Sequence, residues 1–417
     1  MKTSLLSWAT LALRQLTGRQ DDGTGNTDGT AAVSPDPVLL IGGGASGTIS
    51  AATFDGTAFS IVANITTDGT DPSWLLYQDP NRIYAVDENS NTTRLFQFDP
   101  TSNTFSLQQE ATGSSGVVYL AMNLESTRMV GAAFGQGQVD VWEVSPDDGS
   151  LSLLKQIVSD DPLGPNTARQ DAPHPHQALL ENSGRFFVVN DLGTDTILVI
   201  DSLEDAFDVV NHVRVPDAGC GPRHGAFFPA TGSDFPTNYL LVCEMLSVVE
   251  VFSLNFTGDG NLTFSHLQTI STFDPLQPPA NVTTATAAEI VVSADNQHAY
   301  VSNRNTGNAT DSLAHFGITG AIGSSSGDSL VLTFVETISS GGLSPRMFSL
   351  DRDSAESQVF MTNQDGELGL LAIGRDSASG NLSADTSTAP SVPLSVFGTA
   401  GQGPQFVQQV PIALPSA

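Results

Sequence analysis

Three features predict an all-β chain folded as a seven-bladed β-propeller closed by pairing of its N- and C-terminal strands. Turn formers are dense, with 39 Gly and 23 Pro among 417 residues, which leaves little room for long helices. One strand pattern recurs at a spacing of roughly 45–65 residues, the mark of a repeated supersecondary unit. Half-units are left over at both ends, and a ring closed from both termini leaves no free sheet edge.

Each unit opens on a small or Pro-led strand, passes a turn into an apolar strand ending in a polar cluster, and returns in a third strand of aliphatic or aromatic alternation. The first runs from Pro72-Ser73-Trp74 through Arg82–Glu88 to Thr93–Phe98, and the second from Val117–Leu120 through Met129–Ala133 to Val139–Trp142. The third couples Ala172–Ala178 to Arg185–Gly193 and Thr196–Ile200, and the fourth couples Pro222–Phe227 to Asn238–Glu244 and Val248–Phe252. A fifth joins Ala288–Val292 to His298–Arg304, and a sixth joins Ser344–Phe348 to Gln358–Gln364 and Leu368–Leu371. Val38–Gly42 and Pro404–Val407 remain to share the seventh. The propeller is therefore expected over residues 38–417.

Ahead of it, Lys2 and the apolar run Leu5–Leu13, interrupted by Arg14, read as a signal peptide over residues 1–20 that is too short to span a membrane. Residues 21–37 are rich in Gly, Thr and Asp and too polar to order themselves. Sequons at Asn64, Asn91, Asn255, Asn261, Asn281, Asn308 and Asn381 fit glycosylation of a secreted chain, with the cytoplasm as the alternative. Cys220 and Cys243 are read either as a disulfide across neighbouring strands or as two buried thiols.

A formal charge of −30, from 45 acidic against 15 basic residues, repels phosphate backbones and excludes nucleic acid as an expected partner. It also makes each arginine informative. In a propeller the first strand of every blade lines the central channel, so His174, His176, Arg223, His224, Glu289 and Arg346, all near such strand starts, are expected to converge. Glu88, Asp191, Glu244, Arg304 and Gln364, at second-strand ends, reach toward the same mouth. Imidazoles that move protons near neutrality, together with guanidiniums that grip carboxylates, suit a small anionic substrate. The plainer reading is that these groups plug the channel and satisfy strand ends.

There is no Gly-x-Ser-x-Gly elbow, P-loop or His-Glu-x-x-His. His174 and His176 lack an identifiable third ligand, so neither metal nor cofactor is expected.

Pro175-His176, Gly184-Arg185-Phe186, Asn190–Asp195, Gly221-Pro222-Arg223-His224, Ala288-Glu289-Ile290, Ser302-Asn303-Arg304, Pro345-Arg346 and Asn363-Gln364-Asp365 follow one another in an order that resembles the lactonase family of seven-bladed propellers. That family includes 6-phosphogluconolactonases and fungal carboxy-cis,cis-muconate cyclases. The resemblance covers residues 38–417 and implies an enzyme that forms or opens a lactone of a small carboxylated compound, a cycloisomerase or a lactone hydrolase. Carried over by position, it implies catalytic roles for His176, Arg223, Glu244 and Arg304, with the two arginines holding carboxylates and His176 and Glu244 sharing acid–base work. His174, His224, Glu289 and Arg346 are expected to bind substrate. Thr231–Pro236 looks like an added loop near the mouth. A secreted, non-catalytic glycoprotein that binds a partner through the propeller is the alternative from another class. The sequence leaves oligomeric state open.

Overall fold

A computed structural model describes residues 37–258, 260–320 and 329–414. The signal-like stretch and, up to Asp36, the polar segment after it lie outside the described residues. Twenty-eight strands, β1–β28 in chain order, form seven four-stranded antiparallel sheets, and no α-helix occurs among the described residues. No helix there is long and apolar enough to cross a membrane.

Six blades are contiguous in sequence. Their innermost strands are β4 (Leu75–Gln78), β8 (Val117–Met122), β12 (Pro175–Leu180), β16 (Pro222–Phe228), β20 (Thr286–Val292) and β24 (Phe348–Leu350). In the seventh, the innermost strand is β28 (Pro404–Ala413), paired with β1 (Pro37–Gly43) from Pro37↔Ala413 to Gly43↔Pro404. The expected closure is thus the one observed.

Burial follows position in the blade. β1 is buried at every residue after Pro37, and β13 (Phe186–Asp191) and β17 (Asn238–Cys243) are buried throughout. Both faces of these strands pack on neighbouring blades, so apolar residues run continuously. An outermost strand such as β7 (Thr104–Thr112) is instead mostly exposed.

Bulges on the inner strands position the channel side chains. In β16, Pro222 pairs with Cys243 but Gly225 with Leu241, so the chain gains one residue at Arg223-His224. β12 gains one at His176 and β20 one around Ala288-Glu289. A regular strand would send Arg223 and His224 to opposite faces; a bulge re-aims them. Gly225 completes the device, because a Cβ there would meet the Tyr239 hydroxyl at 2.3 Å and the Leu240 carbonyl at 2.8 Å.

The same register corrects one expectation. Phe228 pairs with Asn238 at the end of the hairpin opposite Pro222–Cys243, so Thr231–Pro236 lies on the face away from Arg223. There Thr231 bonds Ala294, and Asn182 donates to the Ser233 carbonyl.

Cys220 and Cys243 form a disulfide with Cα atoms 4.6 Å apart, which settles the two readings of this pair. Glu250, on β18 (Val248–Phe256), has metal-ligand spacing to both sulfurs, but the disulfide uses them. Neither Glu250 carboxyl oxygen meets a hydrogen-bond donor at normal distance, and the side chain is fully buried. Burial, and then the nearby Asp217 charge, push this carboxyl up to about 8. Below the ordinary glutamate range it is protonated in both folded and unfolded chains. As pH climbs to about 8 the unfolded chain ionises while the folded one resists, so stability falls across that window. Glu250→Gln should flatten the fall, gaining on the wild type from pH 5 to 8 in urea melts. Parallel pH dependences for the two proteins would refute this assignment.

Candidate functional site

The channel cluster is built around one carboxylate. Glu244 follows β17 and is buried; its Oε2 lies 2.7 Å from Arg223 Nη1 and 3.0 Å from Arg304 Nη2, and its Oε1 lies 2.5 Å from Arg169 Nη2. Burial opposes ionisation, but Arg304, Arg223 and Arg169 together outweigh it and hold the carboxyl well below the usual range. Glu244 therefore stays an anion. The expectation that it shares proton transfer is corrected: a carboxylate gripped by three cations neither gives nor takes a proton near neutrality.

His176 is corrected in the same way. Its Nε2 lies 2.5 Å from Arg223 Nη1, and since a guanidinium only donates, this nitrogen accepts and the ring proton sits on Nδ1. Burial, with Arg223 and His224 beside it, drives its pKa well below the ordinary histidine range. His176 is a neutral support for Arg223.

His224 has the opposite arrangement. Its Nδ1 lies 2.9 Å from Glu289 Oε2, which fixes the proton there and leaves the Nε2 lone pair with no partner among the described residues. Glu289 is itself held, its Oε1 accepting from the Ile290 amide and its own amide bonded to Ser302 Oγ. Burial lowers the His224 pKa and Glu289 offsets part of the drop, so the ring is neutral at pH 7. Trp74 and Tyr119, stacked on each other 4.1 Å apart, present their rings to His224 at 5.7 and 5.5 Å.

These groups border a small cavity of about 10 Å³, the size of one water, lined by Trp74, His176, Arg223, His224, Arg346 and Glu88 among others. Arg346 pairs with Glu88 at 3.2 Å. Asp71, bonded to Gln405 at the same cavity, is raised to about 7 by burial and then by Glu88. It is a further group that titrates near neutrality.

The structure thus gathers His176, Arg223, His224, Glu289, Glu244 and Arg304, with Arg346 and Glu88 beside them. It places His174 elsewhere, stacked on Phe134 at 4.2 Å with its ring nitrogens toward the Phe134 carbonyl and Asp171. Asp191 is spent on a turn, accepting from Ser159 and from the His174 and Gly193 amides. Gln364 instead donates to the Gly401 carbonyl. Five contributors are absent from the expected set: Arg169, Trp74, Tyr119, Asp71 and Gln405. Trp74 had a readable signal in the Pro-led strand start it shares with Arg223. Arg169 sits in the long strandless stretch before β12, where only the scarcity of arginines marks it.

Of the seven sequon asparagines, all but Asn261 are exposed.

The family model described as "Lactonase, 7-bladed beta-propeller" matches residues 38–397. A probable 6-phosphogluconolactonase of Arthroderma benhamiae is 30% identical over 281 residues, which is 66% of this chain and 68% of that one. Among solved structures, a putative 6-phosphogluconolactonase of Bacteroides fragilis superposes with a TM-score of 0.73 at 22% identity, covering 92% of this chain and 100% of that one. The periplasmic gluconolactonase of Pseudomonas aeruginosa gives a TM-score of 0.71 at 23% identity, covering 91% and 99%.

Proposed function

Since the chain belongs to the lactonase family of seven-bladed β-propellers, we propose that it hydrolyses the ester bond of a sugar-derived lactone, with His224 as the general base. The observation that carries this is the free Nε2 of His224, oriented by Glu289, beside a water-sized cavity bordered by Arg223 and Arg346. In the reaction, His224 Nε2 takes a proton from water as its oxygen bonds to the lactone carbonyl carbon. The guanidinium side of the cavity stabilises the resulting oxyanion. The ring C–O bond then breaks, the leaving alkoxide takes the proton back from His224, and the hydroxy acid ionises to a carboxylate suited to the arginines.

The names of the relatives favour ring opening. Ring closure of a muconate has less support, because Arg223 and Arg304, its expected carboxylate holders, are both turned onto Glu244. The buried disulfide supports work in an oxidising compartment, consistent with secretion.

The test is a pH-stat assay of acid release from gluconolactone, with the spontaneous rate subtracted. A neutral base must stay deprotonated, so kcat/KM should hold level above neutrality and decline only at acid pH, below the ordinary histidine range because burial depresses His224. A profile that instead climbs steadily to pH 10, or an absence of turnover in folded protein, would remove the reading.

A further inference from the structure

A second, wider cavity of about 760 Å³ meets the arginine cluster at Arg169. Its wall residues adjoin the cluster in sequence: Met245 follows Glu244, Asn305 follows Arg304, and Ser344 precedes Arg346 by two residues. Arg169 lines this cleft and is bonded to Glu244 Oε1, while Arg223 lines the small cavity and is bonded to Glu244 Oε2. Glu244 therefore ties the wall of one space to the wall of the other through its two arginines.

The wide cleft differs in chemistry from the cluster it adjoins. Asn166, Thr283, Thr284, Thr286, Asn305 and Asn308 supply neutral groups that both donate and accept hydrogen bonds. Several are fixed by one another or by the backbone: Thr284 Oγ1 donates to the Asn305 carbonyl at 2.8 Å, and Asn305 Nδ2 donates to Thr286 Oγ1 at 3.2 Å. The charged groups on the wall are Asp311, Asp365 and Arg169, and Arg169 is already engaged by Glu244. A phosphate dianion there would meet two carboxylates and no uncommitted cation. The volume lies toward the upper end of the roughly 300–1,000 Å³ range of ligand sites and exceeds what one six-carbon ring fills.

Resting on the lactone-hydrolase reading, we propose that the cleft binds uncharged sugar units attached to the lactone ring. The substrate is then the aldonolactone of an oligosaccharide rather than a phosphorylated monosaccharide lactone.

The experiment compares kcat/KM for three lactones: a six-carbon aldonolactone, its 6-phosphate ester and a disaccharide aldonolactone. It uses wild type and Thr284→Trp, whose indole would obstruct part of the cleft. The disaccharide lactone should be favoured over both others by about tenfold or more, a discrimination that a few added contacts supply. In T284W the ratio of disaccharide to six-carbon lactone should fall toward one, with the melting temperature retained. A preference for the phosphate ester, equal rates on the six-carbon and disaccharide lactones, or an unchanged ratio in T284W would overturn the cleft assignment while leaving lactone hydrolysis standing. Failure on all three lactones by folded wild type would instead bring down hydrolysis itself, and the inference with it.

Discussion

His224→Asn should lower kcat for lactone hydrolysis by roughly a hundred- to ten-thousand-fold, the range set by loss of a positioned general base. The Asn amide can still donate to Glu289, so the buried carboxylate keeps a partner and the fold should survive. What disappears is the lone pair at Nε2. Glu289→Gln should have a smaller but related effect, because an amide no longer fixes the imidazole tautomer that leaves Nε2 unprotonated. His176→Asn should act differently, by loosening Arg223 rather than by removing a base. Steady-state rates decide this: H224N turning over within tenfold of wild type, with its fold verified, would sink the assignment.

Glu244→Gln should cause the largest loss of stability of any single change in the channel, about 3–5 kcal/mol, the usual cost of removing one partner from a buried ion pair. The amide keeps the volume but not the charge, leaving Arg223 and Arg304 to repel one another where water cannot screen them. Arg169→Ala should cost far less, because that side chain is 44% exposed and solvates readily once released. Denaturant melts of the two variants give the comparison. An E244Q protein as stable as wild type, with only its turnover impaired, would restore Glu244 to the acid–base role that the geometry denies it.

The ring was legible because the inner strands of successive blades repeat one grammar. Continuous apolar runs such as Phe186–Val189 and Tyr239–Val242 mark strands buried on both faces, and the unmatched Val38–Gly42 and Pro404–Val407 could pair only with each other. Convergence of His176, Arg223, His224 and Glu289 was legible because all four sit at inner-strand starts. Their roles were not. A bulge adds one residue without a sequence signature, and it is the β16 bulge that sends Arg223 and His224 the same way, while His174 lies just before β12, against Phe134. Whether a carboxylate transfers protons or anchors arginines depends on how many cations surround it, and Arg169 reaches Glu244 from 75 residues away. The Thr231–Pro236 loop was misplaced for a related reason: composition marks a loop, but only register assigns it to a face.

Ring closure sets the order of events in synthesis. β1 is finished long before its partner β28 emerges, which begins only at Pro404. At ribosomal rates of about 5–20 residues per second, that interval is roughly tens of seconds. Throughout it, an apolar strand buried in the finished protein has an unpaired edge. The nascent chain is an open arc with an adhesive first blade, and its hazard is capture of that edge by the wrong strand, from a neighbouring copy or from another blade of its own.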